Sequence, residues 1–278
     1  VKLQHYLAIP PWEWPKSSAE FFLTFLNDHS ADESDRLLAA ELAGDSVVIN
    51  EDLAEALLKI VSSPEEPANL RSAAAIALGP VLELAEDGEI IEDFDDVPIS
   101  QATFEKIKDT LRKTFQDDST PKEVQRHILE GSVRAPDFWH ESAIAKAWES
   151  GDQEWVLTAV FAMNYVRGFD AQILEAVLST NEDIRRNAIR AAGNWEITAA
   201  WPYIQPLFRD RKTPKPLLLA ALGAAFGVCP EEAPEILGKF AHSKDDEMRE
   251  AAEEALAVGP HIGEDDFEDE GDETAWVN

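Results

Sequence analysis

The residues best suited to chemistry in this chain are arginines set beside aromatic rings. Arg126, Arg134, Phe161, Tyr165, Arg186, Arg190 and Asn194 recur near the middle of a sequence whose net charge is −31. A guanidinium pairs with a carboxylate through two parallel hydrogen bonds, and a ring adds contact area at small entropic cost. Such a strip could hold an acidic peptide with an aromatic anchor. The same residues also allow a plainer outcome, in which curvature buries Phe161 and Tyr165 and the arginines are solvated charges or bridges between layers.

Other chemistry finds less support. Cys229 is the single cysteine, which excludes an internal disulfide framework and fits a reducing compartment, and its place before Pro230 suits an inert, partly buried thiol. His5, His29, His127, His140, His242 and His261 lack zinc-ligand spacing. An EF-hand register with Gly88 at the sixth position would put Ala85 third and Phe94 twelfth, so two ligands are missing. Neither a phosphate-binding glycine loop nor a Gly-x-Ser-x-Gly elbow occurs. No catalytic residue, metal site or cofactor is therefore assigned.

The charge limits partners. A chain at −31 repels a phosphate backbone over most of its surface, so general nucleic-acid binding is disfavoured. Glu83 to Asp96 holds eight acidic residues and no basic one, and His261 to Asn278 holds another eight. The rest still carries −15, so the body is acidic too. Solubility, adaptation to salt and capture of a basic partner all fit this pattern. No apolar run approaches the length of a transmembrane helix, and the expected location is the cytoplasm of a bacterium.

The elements that position the arginines are helices. Wound at 100° per residue, Asn181 to Trp195 puts Ile184, Ala188, Ala191, Ala192 and Trp195 on one arc, with Arg186, Asn187, Arg190 and Asn194 opposite. Gly193 reads as a weakened last turn. Similar pairs of segments follow: a helix capped at 17–20 and carrying Phe21, Phe22, Phe25 and Leu26 with one at about 34–44, then 51–62 with 69–84, 101–116 with 121–135, 138–149 with 153–166, 171–179 with 182–195, 198–208 with 215–227, and 230–241 with 246–258. Aligning the second helices on Arg185 gives Arg36, Arg71, Gln125, Val156, Arg185, Leu218 and Arg249, spaced by 35, 54, 31, 29, 33 and 31 residues. The interval of 54 contains the acidic run, so 83–98 reads as an insertion that lengthens one connection.

Asn69 to Gly79 and Asp183 to Gly193 resemble the second helix of HEAT repeats, particularly the short bacterial kind shared with bilin lyases. Asp32 with Arg36 and Asp245 with Arg249 keep the family's spacing of four, whereas Asn181 replaces Asp before Arg185 and Pro67 stands before Arg71. The resemblance implies an all-α, right-handed α-solenoid of about seven helical hairpins, whose register arginine bridges layers and whose second helices line a concave face. The expected organisation is a capping segment at 1–16 with Trp12 and Trp14 covering the first layer, a repeat domain at 17–260, and an acidic tail at 261–278. The expected function is a non-catalytic scaffold that binds a protein or peptide, with self-docking of the tail as one arrangement. The competing expectation is a bilin-lyase-like enzyme or chaperone holding an anionic small molecule in the same groove.

Overall fold

The computed structural model describes residues 2–90 and 97–259, and all regular structure among them is helical. The acidic tail from 261 onward, with its proposed docking, lies outside the described residues, as does 91–96. The chain divides into two compact units, Val1–Val166 and Arg167–Asn278.

The first unit contains α1 (Ser18–Asn27), α2 (Glu33–Ala43), α3 (Glu51–Ser62), α4 (Ala68–Ala77), α5 (Gly79–Ile90), α6 (Gln101–Gln116), α7 (Lys122–Ser132), α8 (His140–Glu149) and α9 (Gln153–Ala162). Four hairpins follow: α1 with α2, α3 with α4, α6 with α7, and α8 with α9. Their second helices stack in the order α2, α4, α7, α9, as the HEAT-like pattern requires. Leu53, Leu57, Leu70, Leu78, Phe104, Ile107, Leu111 and Ile128 fill the space between layers and are fully buried.

The register position has a definite task in the first three of these hairpins. Arg36 Nη2 donates to Leu26 O at 3.1 Å, Arg71 Nε to Val61 O at 2.9 Å, and Gln125 Nε2 to Phe115 O at 3.1 Å. Each acceptor lies ten residues earlier, near the C-terminal end of the first helix, where carbonyls lack intrahelical partners. The register side chain thus closes its own hairpin. Arg36 also reaches the next layer by binding both oxygens of Glu66, at 2.6 and 2.8 Å.

A second device repeats between layers. Lys122, at the first position of α7 after Pro121, binds Asp152 at 2.6 Å and Glu154 at 2.8 Å. Lys215 in the second unit does the same with Asp245 and Glu247, at 2.8 and 3.2 Å. In both places the aspartate is also the N-cap of the following second helix, where a side-chain oxygen satisfies backbone donors.

Sequence expectations for 69–84, the acidic insertion and the capping segment change in the first unit. The segment 69–84 is not one helix: it breaks at Leu78, and α5 carries the chain on through Glu83 to Ile90, so the first part of the acidic insertion is helical. Val81, Leu82 and Ala85 are buried on its inner side, which gives it a packing reason to form. In the capping segment, 3-10 turns at Leu3–Ala8 and Pro11–Glu13 bring Tyr6 and Trp14 against Phe22, with centroids 4.8 and 5.6 Å away. Trp14 Nε1 donates to Tyr6 O and Ile9 O. Trp12 instead is 77% exposed.

The second unit contains α10 (Asp170–Ala176), α11 (Glu182–Asn194), α12 (Trp201–Ile204), α13 (Lys215–Val228), α14 (Ala233–Phe240) and α15 (Asp246–Val258). Three hairpins form, and α11, α13 and α15 stack in that order. The segment expected as one helix at 198–208 is α12 flanked by 3-10 turns. Pro202 and Pro206 lack the backbone donors that a continuous helix would use. Gly193 is more than a weak last turn. A Cβ there would sit 2.6 Å from Ala224 Cα, so α11 and α13 meet backbone to backbone.

Candidate functional site

The seven expected contact residues divide between the units: Arg126, Arg134, Phe161 and Tyr165 in the first, Arg186, Arg190 and Asn194 in the second. They do not share one environment.

Arg126 lies inward, against expectation, and is buried. Its Nε donates to Glu154 O and to Thr158 Oγ1, both at 3.1 Å, and Nη1 lies 3.5 Å from Glu154 Oε1. Thr158 in turn donates to Glu130 Oε1 at 2.5 Å. Arg126 is therefore a bridge from α7 to α9, and the next layer's Thr158 is what draws it in. Asn187, also expected outward, is buried and donates to Asp183 O at 3.0 Å.

Arg134, Phe161 and Tyr165 do come together. Arg134 lies 5.9 Å from the Tyr165 ring centre, and the Phe161 and Tyr165 centroids are 5.6 Å apart. All three are half-buried. The guanidinium is already paired, with Nη1 at 2.7 Å from Glu83 Oε2 on α5, so an incoming carboxylate there must displace or share that partner.

The second unit offers a more open arrangement. Arg186 and Arg190, one turn apart on α11, line a depression of about 290 Å³ with Lys215, Pro216, Leu219 and Glu247. Arg186 is held by Asp183 at 2.8 Å. Lys215 is held by Asp245 and Glu247, and the Asp245 carboxylate raises the ammonium's pKa above its ordinary value. Arg190 is exposed and makes no hydrogen bond or ion pair among the described residues. Asn194, one turn further on, is exposed as well. The depression thus combines three cations, one carboxylate and the apolar face of Leu219.

A feature of the first unit that the register did not reveal lies where α6 ends and α8 and α9 begin. Phe115, Phe138, Trp139 and Trp155 wall a cleft of about 530 Å³. Phe115 is 4.8 Å from Trp139 and 6.5 Å from Trp155 between centroids. The tryptophans read as core from helical spacing, and only the Pro136 break marked Trp139 and His140 as undetermined.

His140 supports this wall from behind, stacked on Trp139 at 3.9 Å. Its Nε2 lies 3.0 Å from Ser132 Oγ, and its Nδ1 accepts from Asp137 N at 2.8 Å. Burial pushes its pKa down to about 4. A histidine with a depressed folded pKa contributes stability above its unfolded value near 6.5 and loses it as pH falls towards about 4. Between pH 8 and pH 5 this group should therefore cost about 2 kcal/mol. Urea unfolding at both pH values, in the natural chain and in His140→Gln, checks it: the variant should lose that part of the pH dependence.

Among the described residues no three His, Cys, Asp or Glu side chains are placed to hold one metal ion. None of the described helices is long and apolar enough to cross a membrane. Cys229 is a free, half-buried thiol.

No known family model matches the sequence, and no curated protein matches it. Solved structures do resemble it. YibA of Escherichia coli shares 14% identity at a TM-score of 0.45, over 89% of this chain and 84% of that one. Human deoxyhypusine hydroxylase in complex with glycerol shares 14% at 0.38, over 88% and 97%. An engineered protein shares 16% at 0.40, over 86% and 78%. Likeness at this level carries no function across, and the helical-repeat assignment stands on the hairpins themselves.

Proposed function

We propose that this protein is a non-catalytic interaction scaffold that binds an acidic protein segment through the exposed side of its second helices. In the second unit the contact centres on Arg190, supported by Arg186 and Asn194. In the first unit Arg134, Phe161 and Tyr165 form a second contact. The observation that carries the reading is Arg190: an exposed guanidinium with no partner among the described residues, over an open depression with Leu219 beside it. In a chain of net charge −31, carboxylates are plentiful, yet none among the described residues pairs with this guanidinium. A carboxylate from another chain would gain a charge-assisted bond there, while an adjacent apolar side chain covers Leu219. Arg126 is left out of this contact because its hydrogen bonds serve the α7 to α9 junction.

The experiment is titration of a labelled synthetic peptide rich in Asp and Glu with a single Phe. Binding should weaken steeply with salt, and Arg190→Glu should weaken it about tenfold or more. Arg126→Lys should leave peptide affinity unchanged if the protein remains folded. Equal affinity in the natural chain and Arg190→Glu ends the proposal.

A further inference from the structure

The aromatic cleft at the end of α6 has a composition that sets it apart from the rest of the surface. Asp and Glu make up 55 of 278 residues, yet none of the eleven residues lining this cleft is acidic. Its one charged lining residue is Lys146, which is exposed and makes no hydrogen bond or ion pair among the described residues. Phe138 stands at the rim, 75% exposed, a large ring left in water beside a wall of three more. Arg112, itself paired with Asp109, lies 5.5 Å from the Phe138 ring centre and adds positive potential on that side.

The inner part of the wall is held in place before any ligand arrives. Trp139 is stacked on a buried His140, which Ser132 and Asp137 fix in turn. Gln125 lines the cleft while its amide group is tied to Phe115 O and Asp117 O. Fixed walls lower the ordering cost of binding. A volume of about 530 Å³ falls in the range of small-molecule sites, which are apolar enclosures with few convergent polar groups.

From these observations we infer that the cleft is a binding site for a small planar aromatic carboxylate, of bicyclic size, with its ring system among Phe115, Phe138, Trp139 and Trp155 and its carboxylate on Lys146. Ring faces and edges on different sides accept a flat ligand by stacked and edge-to-face contacts. The ammonium supplies the charge that the walls lack. A cationic ligand would meet Lys146 with nothing among the lining residues to offset it. The site is distinct from the Arg190 depression and rests on none of its residues.

The full chain is titrated with 2-naphthoate and with its neutral isostere 2-naphthamide, using calorimetry. The natural protein should bind one naphthoate saturably and favour it over the amide by about fivefold, as a partly solvated charge pair allows. Lys146→Ala should bring the two ligands to equal affinity without abolishing either. Phe138→Ala should weaken both about equally, and Arg190→Glu should change neither. Lys146 and Phe138 are both exposed, so neither substitution threatens the fold. Absence of saturable binding at millimolar ligand, a carboxylate preference that survives Lys146→Ala, or loss of binding in Arg190→Glu overturns the assignment.

Discussion

Gly227→Ala is expected to destabilise the second unit by about 3 kcal/mol, although the same exchange four residues earlier on the same helix should stabilise it. An added methyl in a helix interior usually helps, because glycine loses more backbone freedom on folding, by about 0.5–1 kcal/mol relative to alanine. Gly223 is exposed and a Cβ there meets nothing within 4 Å, so Gly223→Ala should show that gain. At Gly227 the Cβ would sit 2.0 Å from the carbonyl oxygen of Gly193. The position of a Cβ is fixed by the backbone that carries it, and the oxygen it meets belongs to the backbone of the stacked helix. No side-chain rotation relieves the contact, so α13 must move away from α11. Chemical denaturation of the full chain with each single variant gives the comparison. If both substitutions raised stability, close approach at this crossing would be wrong.

That crossing also shows what the sequence made legible. The arc of Ile184, Ala188, Ala191 and Ala192 marked the face of Asn181 to Trp195 that is buried, and the recurring spacing marked about seven hairpins, the number found among the described residues. Periodicity works here because burial on one face of a helix is a property of that helix alone. The inward turn of Arg126 is not such a property. It depends on Thr158 and on the Glu154 carbonyl, 32 and 28 residues later, and the register copied from Arg185 contains no information about either. Arg186 and Arg190 stayed at the surface because the next layer offers Pro216 and Leu219 there instead of a buried acceptor. The aromatic cleft was hidden for a related reason. Trp155 occupies ordinary helical spacing and Trp139 follows the Pro136 break, and the gap between them and Phe115 arises only where α6 ends beside α8 and α9. The break at Leu78 was missed because Asn69 to Leu84 is apolar at helical spacing throughout, and α5 reuses that pattern in a new direction.

The first unit should depend most on one charged pair, and Glu66→Ala is expected to cost about 4 kcal/mol. Glu66 lies in the turn between α3 and α4, and both its oxygens are bound by Arg36 of the preceding layer, at 2.6 and 2.8 Å. The two side chains are 8% and 7% exposed. Desolvation makes such a pair a poor source of net stability, but removing one member strands the other as a buried, uncompensated charge. Arg36 without Glu66 would keep its bond to Leu26 O and little else, since its Nε has no partner already. The Arg36 guanidinium holds the Glu66 carboxyl below the ordinary glutamate range. A depressed folded pKa means that this stability is present above the unfolded value, about 4.3, and is lost as pH falls through the folded one. The acid loss from Glu66 thus sets in only at the lower end of the window in which His140 acts. A double replacement separates stranding from intrinsic strength: Arg36→Met with Glu66→Met should recover much of the loss seen in Glu66→Ala, whereas a pair that were itself strongly stabilising would leave the double variant at least as weak.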